Sequence, residues 1–448
     1  MSYWWPFRSR YLPLTFGKRA LLLFAFLSCL LIIWYIGQCN TQPIWKRVKN
    51  AHNAESSPCI VLWWTNIGVE KMALEEILCG YNKCFFTNNR EYLPQAKAIL
   101  FYASSLSWHD LPLPRQPEQI WALLHEESPR NVLEFLFEDT LQHFNYTSTF
   151  SRYSDFPLTI NALPDITEIT NPKYVVTIGS KNIARNQLAP ILFLQSDCST
   201  MSARTNYVEE LMQYIPIDSY GRCLNNRQMP ESLQHDFLNN LYTEAMYRFI
   251  GQYKFMISIE NGVCEDYITE KYWRPLIAGT VPIYFGSPSI RDWEPHNHST
   301  IYITDYQNPK ELAKCILELD KNDNEYVKYL QHKYKQIKPI TNQRLIEEFS
   351  VRNEEVMFFS KFACQVLQAL WAQNAKVKMA NRLHYNCPLP LPYPDMEKEP
   401  TELRSWNSLL KRAKCMAQSI DELLRINREF TEQELHDLTN EKMNHELC

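Results

Sequence analysis

Two groups of charged residues have side chains and positions suited to ligand binding or catalysis. Glu270 and Lys271 lie one turn into a predicted helix that follows an apolar, strand-type run at Phe255–Ile259. Lys271, the free backbone N–H groups at the start of this helix, and Arg204 on another predicted helix could together bind a diphosphate without a metal. Glu270 could accept hydrogen bonds from a ribose diol. The alternative is that Glu270 and Lys271 form a solvated helix face.

A second ionisable group follows another predicted strand. The apolar run at residues 119 to 125 ends at His125, and Glu126 and Glu127 come directly after it. A carboxylate at the end of a strand, facing a cleft, is suited to general-base work on an acceptor hydroxyl, because burial raises its pKa toward neutrality. The alternative is a cluster of acids at the start of a helix.

Motifs of several other site classes are missing from the sequence. No G-x-G-x-x-G follows a strand and no G-x4-G-K-[ST] is present, which argues against a dinucleotide fold and a P-loop. No Asp-x-Asp occurs, although transferases that hold a sugar nucleotide through a divalent metal usually carry one. Zinc-type spacing and a complete EF-hand are also missing. These observations favour a site without metal, and the net charge of −4 argues against general nucleic-acid binding.

The elements that must position these residues follow an α/β pattern. Strands alternate with helices and loops from residue 59 onward, which predicts mostly parallel sheets. The polar turn after Phe255–Ile259 lies at the end of a strand, where open α/β sheets bind ligands. The apolar spacing at residues 69 to 78 predicts a helix, and residues 144 to 157 predict a surface loop.

The C-terminal third has a different character. Residues 344 to 373 predict one long helix that packs back across the lobes. The proline-rich residues 386 to 395 predict an extended linker. Residues 402 to 427 predict an amphipathic helix, which could either dock on the body or form a coiled coil.

The N-terminus predicts a membrane anchor. Residues 20 to 36 are uncharged and almost entirely apolar, and four basic residues precede them. This length is about enough to cross a bilayer as a helix, and the basic end is expected to stay in the cytosol. A cleaved signal peptide is the alternative, because Gly37 and Cys39 make a weak cleavage site. We therefore expect a single-pass type II protein held in the lipid bilayer by residues 20 to 37.

The thirteen cysteines agree with a catalytic domain in the secretory lumen, where disulfides form. Cys79 and Cys84 predict a local disulfide, whereas the other pairings do not follow from the sequence. Asn145 and Asn297 each begin an Asn-x-Ser/Thr site, which a lumenal protein could carry glycosylated.

Residues 258 to 286, SIENGVCEDYITEKYWRPLIAGTVPIYFG, resemble the signature of the alpha-1,3-fucosyltransferase family. The likeness is long and ungapped, and it includes the Glu-Asn, Asp-Tyr-Ile-Thr-Glu-Lys and Ala-Gly-x-Val-Pro elements. Ser202-Ala203-Arg204, Tyr220-Gly221, Glu127-Ser128-Pro129 and the loop FNYTSTFSRYSDFP extend it over residues 59 to about 370. The chain is most similar to the tenth and eleventh vertebrate members, and more to the tenth.

The resemblance implies a GT-B fold, with two Rossmann-like lobes and the active site between them. It also implies inverting transfer of fucose from GDP-beta-L-fucose with no essential metal or other cofactor. Glu127 matches the general base, Arg204 and Lys271 match the diphosphate contacts, and Glu270 matches the ribose contact. Further donor-site positions are matched by Asn261, Tyr267, Ser196 and Asp197, the last of which stands where some members have Asn.

The acceptor is the point on which family members differ. The tenth and eleventh act as protein O-fucosyltransferases of the endoplasmic reticulum on Ser or Thr of folded EMI domains. Other members fucosylate N-acetylglucosamine of lactosamine or N-glycans in the Golgi. An inactive relative that binds a glycan or client protein is a third hypothesis, and the intact set of Glu127, Arg204, Glu270 and Lys271 argues against it.

The domain order predicted from these features runs from a cytosolic tail to a helical extension. Its parts are a cytosolic tail (1–19), a signal-anchor transmembrane helix (20–37), a stem (38–57), an N-terminal acceptor lobe (58–185), a C-terminal GDP-fucose donor lobe (186–375) and a proline-rich linker with an amphipathic helical extension (376–448). We expect residence in the endoplasmic reticulum membrane, with the Golgi membrane as the alternative.

Overall fold

Two mostly parallel β-sheets form the centres of two lobes. The computed structural model describes residues 59–68, 72–234, 240–335, 337–350, 358–372 and 378–448. The tail, the stem and the predicted membrane span at residues 20 to 37 lie outside this part. Among the described residues, no helix has the length and apolar content needed to cross a membrane.

The first sheet has six strands in the order β2-β3-β1-β4-β5-β6. They are β1 Ile60–Trp63, β2 Glu75–Cys79, β3 Asn82–Thr87, β4 Ala96–Tyr102, β5 Ile120–His125 and β6 Tyr146–Thr149. All neighbours are parallel except the β2–β3 hairpin. Four successive pairs join β5 to β6, ending with His125 opposite Thr149. The residues after β5 therefore emerge at the carboxyl edge of this sheet.

The second sheet has five parallel strands in the order β11-β10-β9-β7-β8. They are β7 Ile191–Leu194, β8 Ile217–Tyr220, β9 Phe255–Ile259, β10 Val281–Phe285 and β11 Ile301–Tyr302. Every residue of β9 and β10 is buried, as is typical of parallel strands covered on both faces. The α/β class and the parallel sheets predicted from the sequence are confirmed.

The described α-helices surround these sheets. They are α1 Glu138–Leu141, α2 Ile166–Thr170, α3 Ile178–Ala184, α4 Arg204–Leu211, α5 Glu231–Gln234, α6 Glu244–Ile250, α7 Glu270–Ala278, α8 Pro309–Asp320, α9 Asp323–Tyr326, α10 Gln331–Tyr334, α11 Gln343–Ser350, α12 Phe358–Trp371, α13 Glu402–Ile426 and α14 Glu432–Asn444. Helix α4 follows β7, and α7 joins β9 to β10. The predicted strand, turn, helix and strand around α7 are confirmed.

The helix predicted at residues 69 to 78 is wrong. Residues 69 to 71 lie outside the described part, and Glu75–Cys79 is edge strand β2. Ile77 and Cys79 are buried, whereas Leu78 between them is 64% exposed. This alternation is the two-residue period of a strand. In so short a segment the apolar positions fit a helical period as well, so the sequence pattern does not distinguish the two.

The disulfide predicted between Cys79 and Cys84 is also wrong. Cys84 bonds to Cys59, and Cys79 bonds to Cys364. In the hairpin, Cys79 lies opposite Asn82 rather than opposite Cys84. The other disulfides among the described residues are Cys198–Cys223, Cys264–Cys387 and Cys415–Cys448.

Helix α12 returns the chain to the first lobe. Its residues Phe362, Val366 and Leu367 are buried in one cluster with Val61 and Trp63 of β1. The predicted long helix is seen as α11 and α12, and residues 351 to 357 between them lie outside the described part. The segment counted with the donor lobe in the predicted domain order thus packs on the first sheet.

The Cys79–Cys364 disulfide is expected to stabilise this return. It joins residues 285 positions apart, so breaking it frees a long loop in the unfolded chain. We predict that the double variant C79S/C364S loses about 2–5 kcal/mol of unfolding free energy, measured by guanidinium denaturation. The control is C315S, because Cys315 is a free cysteine. A loss below about 1 kcal/mol in the double variant would contradict the prediction.

The C-terminal extension packs on the first lobe. In α13, Ile420, Leu423 and Leu424 are buried in one cluster with Phe101 and Trp121 of the first sheet. The docked alternative for this amphipathic helix is therefore confirmed. Helix α14, which the sequence analysis did not predict, packs against α13.

Candidate active site

Glu127 lies where the two lobes meet. It follows β5 by two residues, and its Oε2 accepts a 2.9 Å hydrogen bond from the hydroxyl of Tyr267. Tyr267 belongs to the loop after β9 in the second lobe and is only 1% exposed. Burial and then the charge of Glu127 raise the pKa of Tyr267 well above its usual range, so the phenol stays a donor.

The two residues before Glu127 have other partners. Glu126 accepts a hydrogen bond from the Tyr102 hydroxyl, and burial raises the pKa of its carboxyl group. His125 is fully buried, and burial lowers its pKa to about 3, so the imidazole is neutral. Within the predicted cluster, Glu127 is thus the carboxylate that contacts the opposite lobe.

A buried carboxylate shapes the loop between β9 and α7. Glu260 accepts hydrogen bonds from the backbone N–H of Thr269 at 2.8 Å and from its hydroxyl at 2.7 Å. Thr269 is the N-cap of α7. Gly286 leaves the space for this carboxylate, since a Cβ there would lie 2.6 Å from Cγ of Glu260. These contacts join the two ends of the loop formed by residues 260 to 269, and they hold its first residue against the N-terminus of α7.

Glu270 and Lys271 occupy the first turn of α7. The Lys271 ammonium donates to Oε1 of Glu270 and to Oγ1 of Thr269, each at 3.1 Å. Nη2 of the buried Arg274 lies 3.5 Å from the same Glu270 oxygen. Burial opposes ionisation of Glu270, but Lys271 and then Arg274 lower its pKa to about 2. The helix begins at Glu270, one turn later than predicted, and its start presents an ionised carboxylate and a cation side by side.

Arg204 reaches the same strand ends from α4. It is the first residue of that helix, and its guanidinium donates to the carbonyl oxygens of Ile259 at 3.2 Å and Asp197 at 3.0 Å. It is 1% exposed, and its Nε has no partner in the described part of the chain. Burial lowers its pKa, and the nearby charges of Asp197 and Glu260 counter that effect. The positive charge thus lies beneath the loop after β9.

Further contacts between the lobes surround this group. Asn261 accepts a 2.8 Å hydrogen bond from the hydroxyl of Ser128. Asp197 accepts one of 2.8 Å from Nη2 of Arg130. Ser196 is exposed beside it. The structure therefore places all eight predicted residues near the carboxyl ends of β5, β7 and β9, and four of them, Glu127, Tyr267, Asn261 and Asp197, make contacts between the lobes.

One pair of site residues was missed by the sequence analysis. Asp266 is fully buried and accepts hydrogen bonds from Nε of Arg152 at 2.8 Å, from Nη2 of Arg152 at 2.6 Å and from Nε1 of Trp293 at 2.9 Å. Arg152 belongs to residues 144 to 157, whose prediction as a surface loop is wrong because Tyr146–Thr149 is the buried strand β6. The pair holds the loop after β9 to the first lobe. The sequence feature that indicated this pair was the acidic residue Asp266 directly before Tyr267.

This ion pair gives a pH-dependent prediction. Burial opposes ionisation of Asp266, but the hydrogen bonds from Arg152 and Trp293 lower its pKa below the usual value. Its stabilisation is therefore complete above about pH 4 and is lost as the pH falls through the folded-state pKa. We predict that D266N lowers the unfolding free energy by about 1–3 kcal/mol at pH 7, and that the gap to the wild type narrows at pH 3.

Urea denaturation at the two pH values measures this gap. The control is D305N, which removes an exposed ion pair with Arg291 and should cost at most about 1 kcal/mol. A gap between wild type and D266N that stays the same at pH 3 would contradict the prediction.

The two predicted glycosylation sites differ in their surroundings. Asn145 is 7% exposed, and its amide group bonds to Arg115, to the backbone N–H of Trp121 and to the carbonyl of Lys378. The folded structure argues against a glycan at Asn145, because the amide nitrogen that would carry it is bonded inside the protein. Asn297 is exposed and stays a prediction.

The residues that the structure describes include no group of three or more His, Cys, Asp or Glu side chains placed to hold a metal ion. Two cations beside the loop after β9 are the side chains of Arg204 and Lys271. They supply the positive charge on which a metal-free diphosphate site would depend.

Comparisons with known proteins agree on one family. Residues 55–160 match the model "Fucosyltransferase, N-terminal", and residues 184–386 match "Glycosyltransferase family 10 (fucosyltransferase) C-term". The chain is 43% identical over 408 residues to Alpha-(1,3)-fucosyltransferase B of Drosophila melanogaster, covering 88% of this chain and 90% of the relative. It is 40% identical over 411 residues to the human GDP-fucose protein O-fucosyltransferase 3, covering 87% and 84%.

A solved structure, "Crystal Structure of alpha1,3-Fucosyltransferase with GDP-fucose", aligns at 14% identity with a TM-score of 0.39, covering 74% of this chain and 96% of that chain. Both halves of the family are matched, one on each sheet, and the relatives cover most of this chain's length. The chain therefore belongs to glycosyltransferase family 10, the fucosyltransferases.

Proposed function

We propose that this fucosyltransferase moves L-fucose from GDP-beta-L-fucose to a Ser or Thr hydroxyl of a folded protein, with the EMI domain as acceptor class. The observation that carries the chemistry is the hydrogen bond between Tyr267 and Glu127. It joins a carboxylate of the first lobe to the loop that leads into the Glu270–Lys271 helix start. The acceptor class is supported by the human relative, whose name is that of a protein O-fucosyltransferase.

The donor is held from the second lobe. Arg204, Lys271 and the positive end of the α7 dipole take up the charge of the diphosphate. Glu270 is ionised and accepts hydrogen bonds from the ribose diol. The edges of this donor site are formed by Asn261, Tyr267, Ser196 and Asp197.

The reaction is a single displacement. The acceptor oxygen attacks the anomeric carbon opposite the diphosphate, and its proton passes to Glu127. The bond from that carbon to the phosphate oxygen breaks, and its electron pair leaves with GDP, so the β-linked donor gives an α-linked product. Negative charge grows on GDP during this step, and Arg204 and Lys271 therefore stabilise the transition state more than the ground state.

A second candidate acceptor is N-acetylglucosamine of an N-glycan or a lactosamine chain. The name of the Drosophila relative, an alpha-(1,3)-fucosyltransferase, favours it. The donor side would be the same in both reactions, so the two candidates differ in what approaches Glu127 from the first lobe.

We place the enzyme in the endoplasmic reticulum membrane as a single-pass type II protein, with the Golgi membrane as the alternative. The five disulfides of the described part support an oxidising lumen around the catalytic lobes. The apolar residues 20 to 37 supply the anchor.

The test is an acceptor competition with the purified full chain. Labelled GDP-fucose is offered with equal amounts of a folded EMI domain, the same domain reduced and unfolded, and a lactosamine glycan, and GDP-mannose is the control donor. We expect transfer from GDP-fucose to the folded domain alone, unchanged by EDTA. Label on lactosamine alone would establish the second candidate, and transfer to none of the three would contradict the proposal.

A further inference from the structure

We propose that residues 383 to 387, called the strap here, fix Glu127 from two sides, and that Tyr385 is a positioning residue for this general base. The inference rests on the proposed role of Glu127. The strap belongs to the segment before α13, whose composition predicts only a linker, yet Tyr385 and Cys387 are buried.

The strap is attached to the first lobe beside β6. The carbonyl of Leu383 accepts a 2.8 Å hydrogen bond from the hydroxyl of Ser151. Nδ1 of His384 lies 2.7 Å from the hydroxyl oxygen of Thr147. These bonds give the strap a fixed place on the sheet whose neighbouring strand, β5, leads to Glu127.

On one side, the strap holds the end of β5. Tyr385 is fully buried and shares a 2.7 Å hydrogen bond with Nδ1 of His125, the last residue of that strand. His125 is itself fully buried, and its Nε2 has no partner in the part of the chain that is described. The hydroxyl of Tyr385 therefore anchors the imidazole, and Glu127 lies two residues farther along.

On the other side, the strap holds the loop that carries Tyr267. Cys387 forms a disulfide with Cys264. Nδ2 of Asn386 donates to Oε2 of Glu265 at 2.7 Å, and the backbone N–H of Glu265 donates to the carbonyl of Asn386 at 3.1 Å. Tyr267, two residues after Glu265, is the side chain that donates to Glu127.

Aromatic packing connects the two sides of the strap. The ring of Tyr385 stacks on Phe135 with centroids 5.8 Å apart, and it meets Phe150 edge-on at the same distance. Phe150 packs on Tyr267 at 4.9 Å. Loss of the Tyr385 hydroxyl would let the end of β5 shift relative to Tyr267, which would weaken the hydrogen bond that orients Glu127.

The test begins with Y385F, which keeps the ring and removes the hydroxyl. We expect kcat to fall by about 10- to 100-fold, because a displacement of about 1 Å can cost roughly 10²-fold. The KM for GDP-fucose and the affinity for GDP should not change. The acid limb of kcat/KM should move to higher pH, because a carboxylate that loses a hydrogen-bond donor has a higher pKa. An unmoved acid limb would show that Tyr385 is merely structural.

Y326F is the matched control. Tyr326 is fully buried in the second lobe, and its hydroxyl donates to the carbonyl of Lys254 at 2.9 Å. This variant should lower the Tm about as much as Y385F while leaving kcat and the acid limb unchanged. Equal kinetic effects in the two variants would overturn the proposal, since any buried tyrosine would then serve.

N386G tests the other side of the strap, and it tests the proposal by itself if Y385F does not fold. Asn386 has φ +48, which glycine also adopts. The variant therefore removes the side-chain hydrogen bond to Glu265, while the backbone keeps its conformation. A smaller fall in kcat and an acid limb moved in the same direction are expected. If E127Q is inactive while Y385F and N386G keep wild-type kcat and acid limb, the strap proposal fails and the proposed function stands. If E127Q turns over normally, the base assignment fails, and the strap with it.

Discussion

The variant E127Q is expected to lose about 10²–10⁴-fold in kcat, as the loss of a general base does. Gln keeps the size of the side chain and can still accept the hydrogen bond from Tyr267, so the contact between the lobes persists. It cannot take up the proton of the acceptor hydroxyl. GDP should bind E127Q as it binds the wild type, because Arg204, Glu270 and Lys271 are unchanged.

Steady-state transfer and calorimetric titration with GDP together measure this result. E126Q is the matched control, since Glu126 is the adjacent carboxylate and is bonded to Tyr102 within the first lobe. Its kcat should stay within about tenfold of the wild type. Near-normal turnover by E127Q, or an equal loss in both variants, would remove Glu127 from the role of general base.

The variant K271M should lower kcat/KM by about 10²–10³-fold, the range seen when one donor to a developing negative charge is removed. The Lys271 ammonium lies at the N-terminus of α7, beside Glu270 at 3.1 Å and with Glu260 at 3.9 Å. Without this ammonium group, less positive charge would offset the repulsion between the two carboxylates and the negative charge that grows on the departing GDP. Both kcat and the affinity for GDP are therefore expected to fall.

Initial rates over a range of GDP-fucose concentrations measure kcat, and calorimetric titration measures the affinity for GDP. K328M is the control, because Lys328 forms an exposed pair with Glu325 and should change neither. A K271M enzyme with wild-type kcat and weaker donor binding would show that Lys271 only binds the donor, in the ground state and the transition state alike.

The centre of the second lobe was predictable because its signals are local. Buried parallel strands are continuous apolar runs, and β9 and β10 occur where such runs stand. Helix α7 begins with its N-cap Thr269 and ends at Gly279, which has φ +74. Each of these features is decided by a few neighbouring residues, so sequence and structure agree there, except that α7 begins one turn later than predicted.

The features that were missed depend on contacts between distant segments. The partner of Cys79 is Cys364 because α12 returns to the first sheet, which no spacing near Cys79 indicates. Arg152 and Asp266 are 114 positions apart and lie on different lobes. The proline-rich segment was predicted from composition alone, yet Leu391 is buried through its packing with Trp406 and the second lobe.

The measurement that tests the central claim most directly is an NMR analysis of the product. A folded EMI domain that also carries an N-glycan is incubated with the full chain and GDP-beta-L-fucose, and the fucosylated fragments are isolated after proteolysis. We predict α-linked fucose on a Ser or Thr oxygen, which reports both the protein acceptor and inversion at the anomeric carbon. A β linkage on that oxygen would contradict the single displacement, and fucose on N-acetylglucosamine of the N-glycan alone would contradict the protein acceptor.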